Sequence, residues 1–272
     1  MVINITASLI KELRLRTGVG IMDCKKALLK TSGNIELSID YLRKIGQAKA
    51  DIKNNRSTAQ GSLFIYKHNN VAAMLELSCE TDFVAKSKEF IYFGNSVIKQ
   101  VCLKCIKDIH LIRNIFQEKN NELITQCREK IVINRINLCE SEIVDYYIHS
   151  NRIGVLVGAT KSSDMQIIHQ VAMHIAASKP EYLNKDMVPE DVIQREKNIQ
   201  LDIAIKSGKS VFLSKKIVEG RMNKFLSEVS LMGQKFIMNS EKTIFQLLVE
   251  NNSIVTCFTR FEVGETFKKK YL

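Results

Sequence analysis

No apolar run in this 272-residue chain outlasts a strand, and Ile153–Ala159 (IGVLVGA) is typical of the longest. That shortage excludes a membrane-spanning helix, which needs about 20 apolar residues in succession. The N-terminal stretch MVINITASLIKEL does not run from a charged region into a long apolar one, so no secretion signal is read there and a cytoplasmic location is expected. Only two prolines occur, and with 45% hydrophobic and 25% charged residues the composition is that of a folded globular chain, neither disordered nor fibrous. Cysteine is present seven times, an odd number, which in a reducing compartment reads as thiols rather than as a disulfide framework. Cys102 and Cys105 form the one C-x-x-C. No second pair or nearby histidine completes a zinc set, so neither metal nor other cofactor is expected.

Catalytic signatures are equally scarce. Thr17–Lys25 (TGVGIMDCK) has the glycines of a phosphate loop but not its spacing, because glycine does not precede the lysine and Lys26-Ala27 follows it. A turn between helices that presents Ile21, Met22 and Lys25 to a partner fits those residues better. His149 and His174 have no carboxylate, cysteine or histidine at ligand spacing. A polar turn for His149 and a packed, hydrogen-bonded side chain for His174 are expected, and an enzyme is not.

The formal charge of +11 makes an acidic partner plausible, and residues 1–60 hold 11 Lys and Arg against 5 Asp and Glu. A solvated basic surface, or biased genomic usage of lysine, would give the same number. An aromatic-basic motif for stacking nucleic acid bases is missing. Phe90, Tyr92 and Phe93 share one helical run and read as core plus surface.

Three short helices open the chain: Ala7–Arg16, Met22–Lys30 and Ile35–Lys44. Leu9, Leu13, Ala27, Leu28, Ile39 and Leu42 fall at helical spacing, with breaks at Thr17–Gly20 and Ser32–Asn34. Ala50–Gln60 loses that periodicity and reads as a polar linker. From Gly61 the period becomes two. Val71, Ala73, Leu75, Leu77 and Cys79 alternate with Glu76, Ser78 and Glu80, predicting a strand with one buried and one polar face, paired with Ser62–Tyr66 through a turn at Lys67–Asn70.

Tyr66, His68, Asn70 and Leu75 recur 81 positions later as Tyr147, His149, Asn151 and Leu156. The second copy is again hairpin then helix, with a strand at Ile153–Ala159 and a helix at Met165–Ser178. Two related αβ subdomains are expected. Pro189-Glu-Asp starts a helix that ends at Ser207-Gly208, and another spans Ser214–Ser230. Because sheet-like sequence returns only at Ile254–Val263, after a helix near Lys242–Glu250, this pair reads as a hairpin inserted into the second subdomain.

Between strand and helix lies Cys79–Ala85, CETDFVA. Thr81 and Asp82 are good helix-start residues, and the next apolar stripe begins only at Phe90, so Phe83 continues no apolar pattern. On the residues alone, core and partner contact are both open for it.

Taken together, LIKELRLRTGVGIMDCKKAL (9–28), GNIELSIDYLRKIG (33–46), ETDFVAK (80–86), MHIAASKPEYL (173–183), VEGRMNKF with EVSLMGQKF (218–236) and TRFEVGE (259–265) resemble the bacterial elongation factor Ts family, the exchange factors of the GTPase elongation factor Tu. The resemblance implies an α+β fold. Its parts would be a ubiquitin-associated-like three-helix bundle (1–55), a two-subdomain core with antiparallel strands (56–140, then 141–186 and 231–265), an inserted antiparallel helical hairpin (187–230) that can serve dimerisation, and a short basic tail (266–272). It implies elongation factor Tu, GDP-bound or nucleotide-free, as partner. Thr81, Asp82, Phe83 and Val84 would then be the loop that enters the GTPase domain and disturbs its Mg2+ site, with Ile21, Met22, Lys25, Lys53 and His149 as further contacts. The rival expectation, from the charge, is a basic RNA-binding protein without exchange activity.

Overall fold

A computed structural model of the chain describes residues 5–52, 56–206 and 211–265; Lys53 and the expected tail at 266–272 lie outside them. The fold is α+β, built from eleven helices and small antiparallel sheets among the described residues. Two compact units divide it. The first comprises Met1–Tyr66, Ala73–Leu138 and Phe261–Leu272, the second Lys67–Ala72 and Cys139–Arg260.

In the first unit, helices α1 (Ala7–Thr17), α2 (Ile21–Lys30) and α3 (Ile35–Ile52) enclose Leu13, Val19, Cys24, Ala27, Leu28 and Leu42. The turn between α1 and α2 needs glycine at position 18, whose φ of 67° is left-handed and whose N–H closes α1 on the Arg14 carbonyl. The third helix runs into the stretch expected as linker. Gln47-Ala48-Lys49-Ala50 are all good helix formers, and a helix backbone does not require apolar periodicity to continue.

Strands β1 (Gln60–His68) and β2 (Val71–Cys79) form a hairpin turning at Asn69-Asn70. The sheet continues with β3 (Val132–Glu140), in the order β1-β2-β3. Here the expectation of a half-buried strand is wrong, since β2 is buried on both faces from Ala72 to Cys79. Glu76 and Ser78, placed on the polar face by their alternation, are both inside. Glu76 is tolerated there because its Oε2 receives the Arg135 guanidinium at 2.6 Å and its Oε1 the Gly264 N–H at 3.0 Å. After β2 come a single turn α4 (Asp82–Ala85) and the long α5 (Lys88–Lys104), whose Phe90, Phe93, Val97, Ile98 and Val101 form the buried stripe. Cys102 lies in that stripe and Cys105 just beyond the helix end, exposed. Helices α6 (Ile109–Ile115) and α7 (Gln117–Cys127) lead to β3, and α7 packs against α3.

In the second unit β4 (Ile143–His149) and β5 (Ile153–Ala159) pair antiparallel, with His149 opposite Ile153 and Ile143 opposite Ala159. The 81-residue displacement recurs in the backbone: Asn69 and Ser150, each at the hairpin tip, both take positive φ. Helix α8 (Met165–Ser178) coincides with the expected span and buries Ile168, Val171, Ala172 and Ile175 against β5. Helices α9 (Glu190–Lys206) and α10 (Val211–Val229) pack through Ile193, Leu201 and Ala204 on one and Val218, Met222 and Phe225 on the other. A short pair, β6 (Lys235–Phe236) and β7 (Asn239–Thr243), follows, then α11 (Ile244–Glu250), started by a Thr243/Gln246 capping box. Finally β8 (Val255–Glu262) completes the sheet order β4-β5-β8.

His174 has the packed role expected of it. Wholly buried, it meets Gln234 Oε1 through Nε2 at 2.9 Å, and its Nδ1 accepts the Ile237 N–H at 3.3 Å. Among the described residues, no helix is long and apolar enough to cross a membrane.

Candidate functional site

The stretch after β2 is shaped by hydrogen bonds that its own sequence only half supplies. Thr81 is the N-cap of α4, in extended backbone, and its hydroxyl accepts the Val84 N–H at 3.4 Å. Asp82 occupies the first turn, where a carboxylate suits the helix N-terminus, and Lys86 one turn on pairs with it at 2.9 Å. That hydrogen bond and charge hold the Asp82 carboxyl below its ordinary value.

The rest of the support comes from residues 129 and 130. Glu129 Oε2 accepts the backbone N–H groups of Glu80 at 3.1 Å and Thr81 at 2.9 Å, while its Oε1 accepts the Thr81 hydroxyl at 2.6 Å. Glu80 reciprocates, accepting the Lys130 N–H at 2.7 Å and pairing with Arg56 at 3.4 Å. Beneath them the Cys79 thiol donates to the Thr81 carbonyl at 3.1 Å. Burial, with the Glu129 charge nearby, pushes that thiol up to about 12, so it stays a neutral donor. At the other end of α4 the buried Ala85 offers its carbonyl to Ser62 Oγ at 3.3 Å.

On this anchored turn Phe83 projects outward with 82% of its surface exposed. The alternative left open by the residues, a core ring, is therefore excluded. Thr81, Asp82 and Val84 are half-buried around it. An exposed ring on a backbone fixed at both ends has little ordering left to lose when it is buried by a partner.

Ile21, Met22 and Lys25 all lie exposed on the first turns of α2. Arg128, the residue before Glu129, reaches that helix and pairs with Asp23 Oδ2 at 3.0 Å; Gln126 Nε2 donates to the Thr17 carbonyl at 3.0 Å. One connector, the end of α7, thus tethers both the start of α2 and the Phe83 turn. Arg128 can aim one way and Glu129 the other because Arg128 itself sits at φ 61°, a left-handed bend after the helix. These tethers were not read from the sequence. They join residues 48 and 105 positions apart, and no local pattern marks either partner.

His149 belongs to the second unit, as the exposed last residue of β4 before the Ser150-Asn151 turn. Its Nδ1 shares a hydrogen bond with the Tyr147 hydroxyl at 3.2 Å and the two rings stack at 28°. Among the described residues no group of three or more His, Cys, Asp or Glu is placed to hold a metal ion.

Compared with known proteins, residues 80–265 match the family described as Elongation factor TS. The elongation factor Ts of Photorhabdus laumondii subsp. laumondii is 50% identical over 268 residues, covering 98% of this chain and 94% of the relative. Those of Yersinia pestis and Yersinia pseudotuberculosis are each 49% identical over 269 residues, with the same coverage. The matched region begins at Glu80, the residue that opens the Phe83 turn.

Proposed function

Since this chain belongs to the elongation factor Ts family, it is a translation elongation factor, and we propose that it binds the GTPase elongation factor Tu and promotes release of GDP. The observation that carries this reading is Phe83, a fully presented aromatic ring on a turn clamped by Glu129. In the proposed complex the Thr81–Val84 turn enters the GTPase domain and Phe83 wedges between its helices, disturbing the site of the nucleotide's Mg2+. Ile21, Met22 and Lys25 on α2, together with Lys53 and His149, make further contacts.

The physics is linkage. A protein that binds the nucleotide-free GTPase more tightly than the GDP-bound form must weaken GDP binding by the same factor. Burying one phenylalanine supplies about 1.5–3 kcal/mol, which helps offset a local rearrangement without displacing a tightly held nucleotide alone. Several contact regions are therefore required. Loss of the magnesium contact adds to them, because the ion neutralises phosphate charge. No covalent bond is made or broken, so the protein acts as an exchange factor and not as an enzyme, in the cytoplasm where translation proceeds.

The domain assignment follows the same reading: residues 1–55 as a ubiquitin-associated-like bundle, 56–140 and then 141–186 with 231–265 as the two-part core, 187–230 as an inserted antiparallel hairpin, and 266–272 as a short basic tail. The test is release of labelled GDP from elongation factor Tu. Acceleration by the wild-type chain and its loss in Phe83→Ala are expected; folded wild-type protein that leaves the release rate unchanged would overturn the proposal.

A further inference from the structure

No disulfide joins any two of the seven cysteines, all of which lie among the described residues. Two of them are nevertheless in contact. Cys139, the next-to-last residue of β3, and Cys257, on β8, both in the second unit, bring their sulfurs to 3.5 Å although 118 positions separate them in the chain. We propose that Cys139 and Cys257 form a reversible oxidation site, a dithiol that hydroperoxides convert to an intrachain disulfide.

The two thiols are unequal in the way such chemistry requires. Cys257 is exposed and Cys139 is buried, so an oxidant reaches the first and the second is shielded. Either sulfur can donate in this contact, and the exposed Cys257 is the one that ionises, with Cys139 as its donor. The Cys139 S–H, the Thr256 hydroxyl at 3.9 Å and the backbone of Gly158 all stabilise its thiolate, and its pKa lies below the ordinary thiol value. Cys139 moves the other way, because its proton is held in the hydrogen bond to Cys257 and burial disfavours its charge. Space is provided by Gly158 on β5: a Cβ there would stand 2.7 Å from the Cys257 sulfur, closer than a side chain can pack. The sulfurs, in contact at 3.5 Å, have about 1.5 Å left to close to reach a bond of about 2.05 Å.

The reaction balances without a further reagent. The Cys257 thiolate attacks one peroxide oxygen, the O–O bond breaks, and hydroxide leaves and takes up a proton, so that sulfur is oxidised to sulfenic acid and the peroxide is reduced. Cys139, giving up its S–H proton, then attacks the Cys257 sulfur; the S–S bond forms, the S–O bond breaks, and the hydroxide departs with that proton as water. Two thiols and one hydrogen peroxide yield one disulfide and two waters. Cys105, also exposed, directs its sulfur to the Cys102 carbonyl at 3.6 Å.

The test is peroxide treatment of the reduced full-length chain, read by intact mass and by non-reducing peptide mapping. Expected are the loss of two hydrogens, a linked peptide pair carrying Cys139 and Cys257, and reversal by a thiol reductant. Cys257→Ser should abolish the link, and Cys139→Ser should stop at a Cys257 sulfenic acid that dimedone captures. Should Cys139→Ser fail to fold, wild type against the surface variant Cys257→Ser still decides. Oxidation confined to other cysteines, or Cys257 passing to sulfinic acid in the wild type with no linked peptide, overturns the proposal.

Discussion

Glu129 grips Thr81 twice, taking its backbone N–H at 2.9 Å on one carboxylate oxygen and its hydroxyl at 2.6 Å on the other. Charge-assisted bonds of this kind are worth more than neutral ones. Glu129→Ala strands the N–H groups of Glu80 and Thr81 together, and a loss of about 1–3 kcal/mol in unfolding free energy is expected by denaturant titration. Stimulated GDP release should fall as well, because the Phe83 turn is then free to move. Glu129→Gln keeps one acceptor and should lie between the two. Wild-type stability in Glu129→Ala would show that water replaces the carboxylate without cost.

Phe83→Ala should separate stability from function. With 82% of the residue exposed, the substitution removes almost no packing, and its unfolding free energy should stay within about 0.5 kcal/mol of wild type. Stimulated GDP release should drop about tenfold or more, the equivalent of one phenylalanine left unburied in the complex. A destabilised but fully active variant would contradict the outward role of the ring.

The difference between these two residues is also the difference between what the sequence discloses and what it hides. Phe83 stood out because it broke a local pattern, coming after helix-start residues and before the next stripe. Helix α8 and the two hairpins were legible for the same reason: their periodicity and turns are properties of neighbouring residues. Glu129, Arg128 and Arg135 act on partners 48, 105 and 59 positions away, and nothing adjacent to them records it. Alternation also misled at Glu76. A polar residue at every second position signals a solvated face only if the charge has no buried partner, and pattern cannot reveal a partner on another strand. The pair β6 and β7, at two and five residues, is too short to establish any period.

Arg135 is the partner that makes β2 possible. Its guanidinium bonds Glu76 at 2.6 Å and the Glu262 carbonyl at 3.0 Å, and lies 4.0 Å over the Phe261 ring. Arg135→Ala leaves a carboxylate with no solvent exposure and no counter-charge, and should cost about 3–5 kcal/mol. The double variant Glu76→Gln with Arg135→Met removes both charges while keeping an acceptor for the Gly264 N–H, and should be more stable than Arg135→Ala alone. Equal losses in the two would mean that the stacking and carbonyl contacts, not the buried charge, dominate.

His174 gives the fold a pH dependence whose sign is fixed by its surroundings. Burial lowers its pKa from the ordinary 6.5, outweighing the Gln234 hydrogen bond, which acts in the opposite direction. The Ile237 N–H points at Nδ1, so that nitrogen is an acceptor and Nε2 carries the proton donated to Gln234; a second proton would break the Nδ1 contact. Between the depressed folded value and 6.5 the unfolded chain binds the extra proton and the native chain does not. Stability is therefore present above pH 6.5 and falls as pH drops below it, with a slope of at most about 1.4 kcal/mol per pH unit from this group. Urea titrations from pH 7.5 down to about 5, above the range where carboxylates titrate, should show that decline. His174→Gln should be less stable at pH 7.5 but flatter across the window, since it retains hydrogen-bonding atoms without a titrating one. An equally steep decline in the variant would assign the pH dependence to other groups.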